Sequence, residues 1–259
     1  MFVEGSPFLI AVLLVFGLIA GAFATVVVHR DSARVSLFTG PLMCPSCGDP
    51  APWYQRIPVF SYVAGRGKRR ACGCAIRVRD PLLELALGVA WAALGARIGL
   101  QWILPALLLY AFTLVTVSAV DLDERRIPNK VMAPMSVAGI VLVLLAALME
   151  QRLDVVPQLA IGAAGYAAPL FVLGIAAPGS MGMGDVKLAA YMGLHLAWFS
   201  LSHVLVGAIL GFIIGALLGL TLIVLGKKGR KDTVPFGPSI ALGGLLVLFV
   251  GSPAALVSV

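Results

Sequence analysis

Between Pro7 and Val28 the chain runs through PFLIAVLLVFGLIAGAFATVVV without one charged side chain. A bilayer core takes about 20 apolar residues per helix, and runs of this kind recur to the C-terminus. In lipid, backbone polar groups must be satisfied internally, so only helices and closed barrels can span. Barrel strands alternate polar and apolar residues, whereas these runs are continuously apolar. The predicted fold is therefore all-α and polytopic. A composition of 60% hydrophobic and 12% charged residues excludes an ordinary soluble domain. The first run has no Lys or Arg ahead of it, carries Glu4 instead, and exceeds a signal-peptide core, so it reads as a retained span.

About eight spans are predicted, near 7–28, 81–98, 101–121, 131–149, 156–177, 186–199, 201–225 and 235–256. The sixth is short. It is kept apart from the seventh because their fusion would make one helix about twice the bilayer thickness. Positive residues set the orientation. Arg30, Arg34, Arg56, Arg66, Lys68, Arg69, Arg70, Arg77 and Arg79 precede span two. Arg125, Arg126 and Lys130 lie between spans three and four, Lys187 follows span five, and Lys227, Lys228, Arg230 and Lys231 follow span seven. Eight spans place these seventeen on one side and only Arg97 and Arg152 on the other. Both termini are then outside and loop 29–80 is cytoplasmic. The net charge of +7 is thus a topology signal and not a nucleic-acid footprint. The predicted organisation is a first span at 1–28, a cytoplasmic cysteine loop at 29–80 and a seven-span domain at 81–259. No internal repeat is evident.

Two acids break the apolar pattern at one membrane face. Asp121 ends span three in SAVDLDERRIPNKV, and Asp185 precedes span six in GMGDVKL. An ionised carboxylate at membrane depth costs at least ~2.5 kcal/mol, so such residues pair or line a wet cavity. Two carboxylates held close share one proton, the arrangement in which the charged member activates water and the protonated member donates to a carbonyl oxygen. Gly182 and Gly184 are expected to supply unusual backbone angles and a close approach for a substrate strand. A plainer reading makes Asp185 a helix cap and Asp121 and Asp123 interfacial acids beside Arg125 and Arg126. Paired intramembrane acids also suit a proton- or ion-coupled transporter, and a catalytically silent assembly protein is a third reading.

MGMGDVKL and DLDERRIPN resemble the two aspartate motifs of the bacterial type IV prepilin peptidases, a class of GxGD intramembrane aspartic proteases. GAFATVVVHR at 21–30, the cysteine loop at 44–85 and VPFGPSIALG at 234–243 are similar to further segments of that family, in the same order. The resemblance implies an aspartic endopeptidase with Asp121 and Asp185 as the catalytic pair. It would cut the basic leader from type IV prepilins or pseudopilins at the cytoplasmic face of the bacterial plasma membrane. Gly182, Gly184 and Lys187 are the expected substrate-binding residues. Lys187 can instead steady a carboxylate or snorkel to headgroups.

All four cysteines fall in loop 29–80, where a cytoplasmic setting disfavours disulfides. Cys44 and Cys47, in CPSC, form a zinc half-site with Pro45 and Gly48 shaping its turn. The family carries a second CxxC. Here Cys72 stands at its second position, Arg69 at its first, and Cys74 is additional. Structural zinc on Cys44, Cys47, Cys72 and Cys74 is the expectation. By the same resemblance, the loop accompanies N-methylation of the new N-terminus by S-adenosylmethionine, for which no nucleotide fingerprint is visible. Thr25 replaces an asparagine of the family pattern. The charge around Arg69 suits membrane lipid headgroups. His195 and His203 are expected to be interfacial, and Glu84 either supports the cysteine loop or is a helix-start acid.

Overall fold

The computed structural model describes residues 5–36, 44, 47–48, 58–68, 72–176, 181–226 and 235–249. Among them are nine α-helices and no strand: α1 (Pro7–Ser32), α2 (Pro58–Ala64), α3 (Arg79–Ile98), α4 (Leu104–Glu124), α5 (Asn129–Met149), α6 (Val155–Ala176), α7 (Met183–Leu196), α8 (Leu201–Val224) and α9 (Gly237–Leu246). The lone β feature among the described residues is an antiparallel bridge between Lys68 and Ala75.

Eight of these helices lie where the eight spans were expected, with α2 additional, inside the cysteine loop. Six have the length and composition to cross a membrane: α1, α3, α4, α5, α6 and α8. The other two are shorter. α7 has 14 residues, about 21 Å of helix, and α9 has 10. The expected last span, 235–256, ends outside the described residues, as do Arg69, Pro45 and the GKKGRK basic run at Lys227–Lys231. The separation of α7 from α8 is as expected, and the breaker is local. Ser200 is extended (φ −173°, ψ 165°), and its hydroxyl accepts from His203 N at 3.2 Å, capping α8.

The chain divides into two compact units, Met1–Leu104 and Pro105–Val259. In the first, α1 packs along α3. Glycines let the backbones approach: a Cβ on Gly17 would stand 2.8 Å from Gly88 Cα. Such small-residue contacts are the normal route to close helix association in lipid, where no hydrophobic force acts between helices. Ser6 caps α1, its hydroxyl accepting from Leu9 N, and Pro7 follows at the first turn.

In the second unit α7 is central. It packs against α6 and also touches α5, α8 and α9. Leu188, Ala189, Tyr191, Met192, Gly193, His195 and Leu196 are all buried. That position explains a short, weakly apolar helix: its neighbours face the lipid in its place. On α8 only 17% of the spanning window is buried. The same packing encloses the two histidines expected near the interface. His195 is fully buried, with Nδ1 2.8 Å from the Tyr191 carbonyl and its ring stacked on Tyr110. His203 is buried too, with Nδ1 2.8 Å from Ser200 Oγ. Histidine pairs its polar edge locally and offers an aromatic face to the core.

Candidate active site and metal centre

Asp121 sits in the last turn of α4, and Arg125 ends that helix in a left-handed conformation (φ 52°) with its N–H on the Asp121 carbonyl at 2.9 Å. The Asp121 side chain is 5% exposed. Its Oδ2 accepts from Gly237 N, the start of α9, at 3.0 Å. Asp123, two residues on, is exposed. The fold therefore buries the acid that the resemblance singles out and exposes its neighbour.

Asp185 lies in the first turn of α7 and is partly buried. Its Oδ2 accepts from Gly182 N at 3.2 Å, and its own N–H donates to the Gly182 carbonyl at 3.0 Å. The capping role raised for Asp185 is thus present, and it also fixes the carboxylate. Each aspartate has one oxygen held by a glycine N–H. The two carboxylates are close enough to feel each other's charge. Asp121 closes α4 and Asp185 opens α7, about sixty residues apart in sequence.

The backbone angles of the glycines are not the unusual ones expected. Gly182 is extended (φ −83°, ψ 148°), a conformation open to any residue. Gly184 is helical, and its need is space: a Cβ there would stand 2.7 Å from Ile127 Cβ. Gly237 is equally restricted, since a Cβ would lie 2.7 Å from Asp121 Oδ2. No sequence signal marks this role of Gly237, because backbone donation across 116 positions leaves no local pattern. Lys187 points Nζ at Asn129 Oδ1, 2.8 Å away.

The first unit holds the cysteines. All four sulfurs lie within 4.8 Å of one another, and Cys72 Sγ is 3.7 Å from Cys44 Sγ. Zinc bound tetrahedrally by thiolates at about 2.3 Å places sulfurs roughly 3.8 Å apart, so the donor set fits the ion. Two left-handed glycines build the site. Gly48 (φ 77°) donates to the Cys44 carbonyl at 2.8 Å, closing the first knuckle. Gly73 (φ 69°) turns the chain between Cys72 and Cys74. In an extended CxC the side chains would point to opposite faces, and the turn brings both to one point. The thiols crowd one another, and Cys74 is held above the ordinary thiol range, first by its hydrogen bond with the Cys72 side chain. A cation removes that conflict by taking the thiols as thiolates.

Below the cysteines, Glu84 is buried, and its Oε2 accepts from Val59 N, at the start of α2, at 2.6 Å. Of its two expected roles, support of the cysteine loop is the one observed. Asp80 is also buried, with Oδ2 2.9 Å from His29 Nε2, and Thr25 Oγ1 bonds to the Gly21 carbonyl at 3.1 Å.

The two units coincide with two family models. Residues 15–98 match the Bacterial Peptidase A24 N-terminal domain, and residues 107–224 match the Type IV leader peptidase family. A curated relative named Prepilin leader peptidase/N-methyltransferase, from Burkholderia pseudomallei (strain 1026b), is 31% identical over 94% of this chain and 86% of its own length. The chain belongs to the type IV leader peptidase family. Relatives of the same name from Stutzerimonas stutzeri (30% identical, over 92% of this chain and 89% of the relative) and Bacillus subtilis (strain 168) (29%, over 94% and 95%) agree. No solved structure gives a significant match. The first match ends at residue 98 and the type IV leader peptidase match begins at 107, on either side of the boundary between units at Leu104. A transporter reading of the paired acids finds no support in these matches. As a family member with six long apolar helices, the chain is a multi-pass membrane protein.

Proposed function

We propose that this chain is a prepilin peptidase and N-methyltransferase of the bacterial plasma membrane. It removes the basic leader from type IV prepilins or pseudopilins and methylates the exposed amine with S-adenosylmethionine. The observation that carries the peptidase reading is the pairing of Asp121 and Asp185, each with one oxygen restrained by a glycine N–H. A free oxygen remains on each for water and for the scissile carbonyl. The ionised aspartate takes a proton from water as its oxygen attacks the peptide carbon. The protonated aspartate donates to the carbonyl oxygen, and the C–N bond breaks as the leaving amine collects a proton. Peptide and water become a carboxylate and an amine, with no other reactant. Backbone around Gly182 and Gly184, exposed and half-buried respectively, is offered to the substrate strand.

The excess of Lys and Arg in loop 29–80 and beside the aspartates supports a cytoplasmic active face with both termini outside. A basic leader then stays in the cytoplasm while its apolar helix lies in the bilayer. Zinc on Cys44, Cys47, Cys72 and Cys74 would cross-link the loop, a structural service. S-adenosylmethionine would supply an electrophilic methyl group. The names of the relatives support methylation.

The test is incubation of membranes containing the chain with a prepilin and S-adenosylmethionine, followed by mass measurement of the product N-terminus. Loss of the leader with gain of one methyl group is expected. Intact prepilin at matched expression overturns the peptidase reading, and a cut, unmethylated product overturns the second activity alone.

A further inference from the structure

The turn between α4 and α5 touches the start of α7 at two points. Ile127 lies against Gly184, so closely that a Cβ on Gly184 would stand 2.7 Å from Ile127 Cβ. Lys187 Nζ donates to Asn129 Oδ1 at 2.8 Å. Gly184 and Lys187 are three residues apart and share one face of α7, and Asp185 falls between them. On the other side, Ile127 and Asn129 flank Pro128, which is buried and enters α5 at φ −73°. The turn itself begins on Asp121, whose carbonyl takes the Arg125 N–H. One short segment with a proline at its bend therefore runs from the first aspartate to the first turn of the helix that carries the second.

We infer that this contact is a latch setting the separation of the two carboxylates, with Asn129 and Lys187 acting as positioning residues that do not touch substrate. The inference rests on the peptidase reading and reassigns Lys187 within it. Both side chains are exposed. A hydrogen bond between exposed groups adds little to stability, so its loss leaves the fold intact. Its loss matters for chemistry because misplacement by about 1 Å can cost around 100-fold in rate. The packed Ile127–Gly184 contact holds the turn near α7, and the polar contact fixes its register.

The experiment compares full-length Lys187→Met, Asn129→Leu, the double variant and Asn129→Asp on a prepilin. Each single variant should lower kcat about tenfold or more, with KM within about twofold. The double variant should fall no further than the worse single, because both remove one contact. Asn129→Asp keeps an acceptor of the same reach and should restore kcat. Thermal unfolding should be unchanged throughout, which a merely structural role would not allow. Single variants that cut at the parent rate overturn the latch. So do losses that multiply in the double, or a rise in KM with kcat intact, which would make Lys187 a substrate contact. A parent chain that leaves prepilin whole overturns the peptidase reading instead, and the latch with it.

Discussion

Asp121 and Asp123 are separated by one residue in sequence and by burial in the fold, and that difference supports the proposal of Asp121 as the catalytic group. Asp121 faces inward and is held by Gly237 N, while Asp123 is exposed. Asp121→Asn and Asp185→Asn should each reduce prepilin cleavage below detection with the protein still folded and inserted, because one carboxyl cannot fill both the acid and base roles. Normal cleavage by either variant, at matched expression, removes that aspartate from the mechanism. Gly237 provides a finer test. An added methyl would collide with Asp121 Oδ2, so Gly237→Ala should shift the carboxylate and lower kcat by about 10- to 100-fold. Among the described residues a Cβ on Gly182 would meet Asp185 Oδ2 at 3.4 Å and Gly184 N at 3.9 Å, both ordinary contacts, and its extended backbone accepts alanine, so folding and insertion should be unaffected by Gly182→Ala. Comparing kcat of Gly237→Ala with its thermal unfolding separates a moved carboxylate from a damaged helix.

At the scale of elements, the cysteine segment departs from two matched CxxC knuckles and still closes on one point. Gly73 accomplishes this: a left-handed residue between Cys72 and Cys74 turns both thiols toward Cys44 and Cys47. The purified chain should hold about one zinc, lost on Cys44→Ser or Cys47→Ser. Cys72 and Cys74 are both within the cluster, so serine at either should weaken binding alike. Gly73→Ala keeps every ligand and still should lower zinc affinity roughly 5- to 30-fold, since a left-handed alanine costs about 1–2 kcal/mol. Metal analysis and competition with a chelator measure both effects. Protein prepared without chelators that carries no zinc would count decisively against the site. Binding should also weaken as pH falls, because thiols must lose protons to ligate and Cys74 is held above its ordinary range.

Across the whole molecule, the four cysteines lie before Leu104 and both aspartates after it, so the proposed methyl-transfer loop and the proposed peptidase pair fall in separate units. Cleavage and methylation should therefore be separable. A Cys44→Ser, Cys47→Ser double variant should still cut prepilin, because both aspartates are carried by helices outside the zinc-bound segment. Its product should carry no methyl group. The mass of the mature N-terminus reads both results at once. A variant that inserts but does not cut makes the loop part of the peptidase, and one that still methylates places the methyl-donor site elsewhere.

Much of this protein was readable along the chain. Long apolar runs leave a helical membrane bundle as the remaining solution, because lipid satisfies no backbone hydrogen bond. Local chemistry also showed through: the GxGD and aspartate–IPN motifs, the CPSC half-site and the breaks between helices. Other features needed the tertiary structure. The sixth helix reads as a short span, and its central packing in the second unit is what hydropathy cannot show, since it does not distinguish burial in protein from burial in lipid. Nor does hydropathy show that neighbouring helices enclose His195 and His203. Partners separated by long stretches were invisible for a related reason. The hydrogen bond from Gly237 to Asp121, the bond from Lys187 to Asn129 and the support of Val59 by Glu84 depend on which helix ends meet. A hydrogen bond forms only at contact distance, and sequence spacing specifies distance within one element but not between elements that packing brings together.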